Sequence, residues 1–427
     1  MSFMRTVPNS IVVAVSATAL LSLTACGSTQ PSKPASSSTA SSAQATAAPE
    51  RTETAALHPR ITLAHDGGVT VIDSMSGETL ATEKIDGYVR LSPAGDGRHV
   101  MATEGDGFRI IDTGLITQAH GDHAHFYHQK PQLTEHRVPA PHPGHVVPHE
   151  GRTAIYADGT GEVTMMDPSA LQDGKLELTS GVKADSPHHG VAVPLANGEL
   201  LMTQGTEDKR NTVQVKDKNG KVIAETTDCP GVHGEAVAEP TEKGSVAVLG
   251  CENGPVIYRD GAFHKVQPIQ GAERSGNLRG DEKSSIVLAD GEPVAADGDG
   301  SEKSQTIGLI DTRTGTQKRV DLDSPYWFRS LDRGLNGEAV VLTEDGDLTV
   351  IDPASGKILH EVPVAKPWTE PEDWQQAAPM VQAADGLAYV SDPATKKLTV
   401  VDIAKGEVVR TLDLPVAPHE MQVTTGE

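Results

Sequence analysis

Eight times along the chain, a short alternating apolar run ends on an aspartate. The copies are Val69-Thr-Val-Ile-Asp73, Phe108-Arg-Ile-Ile-Asp112, Val163-Thr-Met-Met-Asp167, Val213-Gln-Val-Lys-Asp217, Val256-Ile-Tyr-Arg-Asp260, Ile307-Gly-Leu-Ile-Asp311, Leu348-Thr-Val-Ile-Asp352 and Leu398-Thr-Val-Val-Asp402. From Asp73 to Asp402 the aspartates recur at intervals of 39 to 55 residues, averaging about 47. Propeller blades of the WD40 and kelch kinds repeat at roughly 40–50 residues. Alternation marks a strand with one buried face. The residues after the aspartates, such as Asp352-Pro-Ala-Ser-Gly356 and Asp402-Ile-Ala-Lys-Gly406, are turn formers. Each copy also follows another strand pair, for example Gly190–Pro194 with Glu199–Met202. Four strands per unit make a propeller blade. The fold class is therefore all-β, a β-propeller of eight blades, or seven if one irregular copy is not a blade.

The ends of the chain fit a closed ring. Arg60-Ile-Thr-Leu-Ala64 reads as the second strand of a blade whose first strand is missing, and His419-Glu-Met-Gln-Val423 is a strand left over. Pairing the two completes the first blade with strands from both termini. Ahead of the propeller, Arg5 and the apolar stretch from Ile11 to Leu23 have the proportions of a signal peptide. Leu23-Thr-Ala-Cys26-Gly27 resembles the lipobox of bacterial lipoproteins. That resemblance implies cleavage before Cys26 and acylation of Cys26. The Ser/Ala/Thr/Pro-rich segment behind it has too little apolar surface to fold. The expected organisation is a signal peptide over 1–25, a lipidated cysteine and disordered tether over 26–56, and the propeller over 57–427. The expected location is the cell envelope, with a lipid anchor on the outer face of the cytoplasmic membrane and no other membrane contact.

The formal net charge of −23 disfavours nucleic acid, whose binders displace counterions with basic surface. Outside the cytoplasm, Cys229 and Cys251 read as a disulfide bracketing one hairpin, with a two-cysteine metal site as the competing reading.

Eight of the 17 histidines fall between residues 120 and 149, where even spacing would put about one. The dense run is His120-Gly-Asp122-His123-Ala-His125-Phe-Tyr-His128, continuing through His136, His142 and His145 to His149. In an extended segment, residues two apart share a face, so His123 and His125 can meet one ion with His120 or Asp122. Imidazole and carboxylate suit Zn2+. A second set follows from the repeat. Pro148-His149-Glu150-Gly151, Pro187-His188-His189-Gly190, Val232-His233-Gly234-Glu235 and Pro418-His419-Glu420 all read as starts of channel-lining strands, where side chains from neighbouring blades converge. His149, His189 and His233 are the expected channel ligands, with His188 and His419 as further candidates. The 120–128 run is expected as an irregular loop able to reach that mouth.

A secreted propeller with His-Gly-Asp-His-x-His at 120–125 and Pro-His motifs at 148–151 and 187–190 resembles the AztD family of zinc metallochaperones. The resemblance implies a non-enzymatic monomer that binds zinc and delivers it to the zinc-binding protein of an ABC importer. The lipid anchor departs from the soluble periplasmic pattern of that family. The alternatives are a metal-dependent hydrolase or lactonase and a propeller interaction scaffold. The chain has no Gly-x-Ser-x-Gly elbow, and a scaffold leaves the clustered histidines unexplained.

Overall fold

All eight aspartate-terminated runs are strands, and each is the third strand of a four-stranded antiparallel sheet. The computed structural model describes residues 50–293 and 303–426. The signal peptide, Cys26 and most of the expected tether lie outside the described residues. The conserved place of the aspartate has a local cause. At the end of the third strand its carboxylate caps the turn into the fourth, as Asp73 does for the amides of Met75 and Ser76, and Asp311 for those of Arg313 and Thr314.

Eight such sheets are present, and they form eight blades. Their inner strands, in ring order, are Glu420–Thr424, Leu91–Pro93, Pro143–His149, Ala192–Pro194, His233–Thr241, Leu278–Arg279, Tyr326–Arg333 and Met380–Ala384. Blade 1 closes as expected: Arg60–His65 pairs antiparallel with Glu420–Thr424, with Arg60 opposite Thr424 and Ala64 opposite Glu420. Eight apolar clusters lie one at each interface between neighbouring blades, the last joining blade 8 to blade 1 through Tyr389, Leu398 and Met421 with Ile61 and Leu63. Eight interfaces for eight blades are what a closed ring requires.

Two features depart from the sequence reading. The folded part begins earlier than residue 57, because Thr52–Thr54 is already a strand. The histidine run is also no irregular loop. Leu115–His120 and His123–His128 form a regular hairpin, with His120 opposite His123 across Gly121-Asp122. Gly121 has the positive φ (63°) that a tight two-residue turn needs at its first position. Thr52–Thr54 pairs with the free edge of the second hairpin strand, which makes a three-stranded sheet. No helix among the described residues is long and apolar enough to cross a membrane.

Candidate metal centre

The starts of three consecutive inner strands bring His145, His189 and His233 together. One ring nitrogen from each lies within 4.8 Å of the others, and the ring centroids are 5.1 to 5.6 Å apart. Each Nδ1 faces an acceptor. That of His145 meets the Glu235 carboxylate at 2.9 and 3.1 Å, that of His189 meets Asp158 Oδ2 at 2.6 Å, and that of His233 meets the Gly276 carbonyl at 2.7 Å. An Nδ1–H donated to an acceptor fixes the tautomer and leaves Nε2 as the lone pair, the usual outer support of a zinc-binding histidine. The Nε2 atoms of His145 and His189 then face each other at 3.4 Å. With both Nδ1 atoms donating, neither Nε2 has a proton to share. That separation is close to the roughly 3.3 Å edge of a tetrahedron with Zn–N bonds of about 2.0–2.1 Å.

The backbone is built around this arrangement. A Cβ on Gly144, next to His145, would fall 2.2 Å from Asp158 Oδ1, so the glycine admits the carboxylate that orients His189. Gly234 has φ 72° at a bulge, which turns both His233 and Glu235 toward the cluster, and a Cβ there would meet the Gly276 carbonyl at 2.4 Å. The Cys229–Cys251 disulfide spans the hairpin that starts at His233. Burial, then the neighbouring His145, drives the His233 pKa down to about 4, so this imidazole is neutral at neutral pH. For Glu235, burial pushes upward, but the attraction and hydrogen bond of His145 and the nearby His233 leave the carboxyl below its ordinary value. The three histidines open onto a cavity of about 1090 Å³ at the channel mouth, whose other walls carry Arg274, Asp290, Arg329 and Trp374.

His149 is not part of this group. It ends its inner strand, opposite Arg152, and Glu150-Gly151 are a two-residue hairpin turn with φ of 52° and 65°. Pro-His-Glu-Gly at 148–151 is therefore the exit of the strand. His149 is buried at the far face of the ring, with Nδ1 2.6 Å from the Pro194 carbonyl and Nε2 3.5 Å from Glu282. His145, near the start of the strand, takes the position expected of it. His188 points inward, where it meets Tyr156, Thr203 and the Ser186 carbonyl. His419 does begin an inner strand, but in blade 1, where it stacks on Tyr88 at 4.6 Å and meets the Val89 carbonyl.

The hairpin holds the second group. His120, His123 and His125 again place one nitrogen each within 4.8 Å of the others, with His120 Nδ1 3.4 Å from His123 Nε2. Asp122 lies 3.2 Å from His123 Nδ1, on the outside of the group. His128 sits at the hairpin base, against His58 and 3.4 Å from Arg60. In an antiparallel blade, the start of the inner strand and the third-to-fourth connection lie on opposite faces. The hairpin is inserted in that connection of blade 2, between Gly107–Asp112 and Gln132–Pro139. The two groups therefore occupy opposite faces, and the expected reach of the 120–128 run over the mouth does not occur. Sequence reasoning named His145 only as a member of the histidine run, and it passed over Glu235, Asp158 and Glu53. The signal for His145 was present: Gly after a polar residue between two strand halves at 149–152 marks a tight hairpin.

The described residues thus form an eight-bladed propeller with two trihistidine groups of metal-binding geometry, one at the channel mouth and one on an added hairpin. No established family model matches the chain. It is 29% identical over 364 residues, 84% of each chain, to the zinc chaperone AztD of Citrobacter koseri. Two AztD structures from that organism, one of them the apo form, superpose with TM-score 0.73 at 24 and 25% identity, covering 86% of this chain and 98% of theirs. The dihydro-heme d1 dehydrogenase NirN shares the fold at TM-score 0.54 and 14% identity. In sequence and in fold the chain is thus similar to the zinc chaperone AztD.

Proposed function

We propose that the protein is an extracytoplasmic zinc chaperone. It holds Zn2+ at the channel mouth through His145, His189 and His233 and passes it to the zinc-binding protein of an ABC importer. The observation that carries this reading is the set of three imidazoles with Nδ1 held by Glu235, Asp158 and the Gly276 carbonyl and one ring nitrogen of each within 4.8 Å of the others. The AztD likeness supports zinc as the ion and a chaperone role. Three protein ligands leave one position free, and a large cavity stands beside it. A donor from the acceptor can enter there and begin ligand exchange. In this reading Cys26 carries the lipid that keeps the monomer at the membrane surface, with no enzymatic turnover. The test is zinc stoichiometry and affinity, by metal analysis and chelator competition, for wild type and His189→Ala/His233→Ala. The double variant is expected to lose its tightest zinc while keeping a β-rich circular dichroism spectrum. Unchanged affinity refutes the placement.

The free position also favours a second reading, a zinc hydrolase, since catalytic zinc keeps one position for water. An ester and lactone screen of the zinc-loaded protein separates the two. Turnover lost in His189→Ala/His233→Ala would replace the chaperone reading.

A further inference from the structure

The three hairpin histidines do not stand alone. Thr52–Thr54 pairs along the outer edge of His123–His128, with Thr52 opposite His128, Glu53 opposite Tyr127 and Thr54 opposite Phe126. This pairing sets the Glu53 carboxylate 2.9 Å from His125 Nδ1. His123 has the matching contact from Asp122 at 3.2 Å. A residue 72 positions away thus holds His125 Nδ1, which leaves Nε2 as the nitrogen with a free lone pair for the group with His120 and His123.

We propose that Glu53 is a positioning residue of the hairpin metal site, and that metal binding there and docking of the N-terminal strand are coupled. The inference rests on the metal reading of the hairpin. The strand is only three residues long, so its docking depends on few bonds, and the Glu53–His125 contact is one of them. A metal on Nε2 of His125 makes the Nδ1–H a stronger donor to Glu53. By linkage, whatever factor the docked strand adds to metal affinity, the metal adds to docking. Supports of this kind are worth roughly 10–100-fold in metal affinity. Glu53 and His125 keep 60 and 39% of their side-chain surface exposed, which puts the expectation at about tenfold, the lower end of that range.

Arg51 is exposed and directly precedes the strand, so trypsin reports docking by cleavage of the Arg51–Thr52 bond. The experiment uses the full mature chain carrying His189→Ala/His233→Ala, so that zinc reports the hairpin alone. Zinc is titrated while cleavage at Arg51 is followed by mass spectrometry. Zinc is expected to slow that cleavage about tenfold. Glu53→Ala should bind hairpin zinc about tenfold more weakly and lose the protection, with Glu53→Gln, which keeps an acceptor, in between. If the background does not fold, the same comparison is made in the otherwise wild-type chain at the second zinc equivalent. Hairpin zinc that binds with wild-type affinity in Glu53→Ala, or that leaves cleavage unchanged, overturns the coupling while the metal site stands. No zinc at the hairpin overturns both.

Discussion

Replacing Asp158 by Asn tests whether the channel histidines are poised for a cation. Asp158 lies in the turn between the second and third strands of blade 3, with Oδ2 2.6 Å from His189 Nδ1 and Oδ1 3.3 Å from the Gly190 amide. Asparagine keeps the shape and an acceptor, so the fold and the ring orientation persist while the charge is lost. Through the imidazole, the carboxylate would stand roughly 6 Å from a dication on Nε2, given Zn–N of about 2 Å. Coulomb attraction over that distance is worth about 5 kcal/mol at an effective dielectric of 20 and about 1.4 kcal/mol at that of water. The carboxylate retains 20% of its side-chain exposure, which places it between these limits. Measured losses for such supports, roughly 10–100-fold, correspond to about 1.4–2.7 kcal/mol and fall within the same interval. Asp158→Asn should therefore weaken the tightest zinc site 10–100-fold in chelator competition at fixed pH. The control is Asp122→Asn, whose carboxylate is fully exposed on the hairpin and should leave that site unchanged. Wild-type affinity in the folded Asp158→Asn protein, or an equal loss from Asp122→Asn, refutes the assignment.

His233 has its pKa lowered to about 4 in the fold, against about 6.5 unfolded, so the unfolded chain takes up a proton that the zinc-free folded protein refuses. Zinc-free stability should therefore fall by up to about 3 kcal/mol as the pH drops from 6.5 to 4, and His233→Gln should flatten that slope in denaturant titrations at a series of pH values. Cys229→Ser/Cys251→Ser opens a loop with a sequence separation of 22, which chain entropy values at about 3 kcal/mol. Urea unfolding should show that loss, and a lowered zinc affinity should accompany it because His233 lies between the two cysteines. His149→Ala should leave zinc affinity at the mouth as in wild type, measured by the same competition. Replacing His120, His123, His125 and His128 together by Ala should remove only a weaker zinc equivalent.

The repeat made the fold legible because each blade presents its third strand in the same form, two or three buried apolar residues and then an aspartate, which caps the following turn in every blade but the fifth. Blade 1 was legible for a related reason: an unpaired strand at each end has one economical solution. The site was less so, because histidine spacing carries no sign of direction. His145 and His149 sit on one strand of seven residues, and only the turn at Glu150-Gly151 tells which end meets His189 and His233. His188 and His189 are adjacent in the connection ahead of the inner strand, yet one is sealed against Tyr156 and Thr203 and the other faces the cavity. The outer acceptors could not be read at all. Asp158 is contributed by the blade before His189, and Glu53 by a segment whose composition reads as tether.

The two histidine groups differ in what holds them, and that difference bears on how such a protein could both keep and release an ion. At the mouth, the ligands come from three blades, each locked to its neighbours by an apolar interface, and each imidazole is fixed at Nδ1. In the chaperone reading proposed above, exchange would proceed through the position left free on the cavity side. On the hairpin, all three histidines ride on one pair of strands, and among the described residues their outer supports are the exposed Asp122 and Glu53. Motion of the hairpin moves the whole group without straining a blade. Because the groups lie on opposite faces, an acceptor that docked at the mouth, as proposed above, would not touch the hairpin. On that reading, an exchange element for the mouth site would come from the acceptor itself or from the cavity wall that carries Arg329 and Trp374.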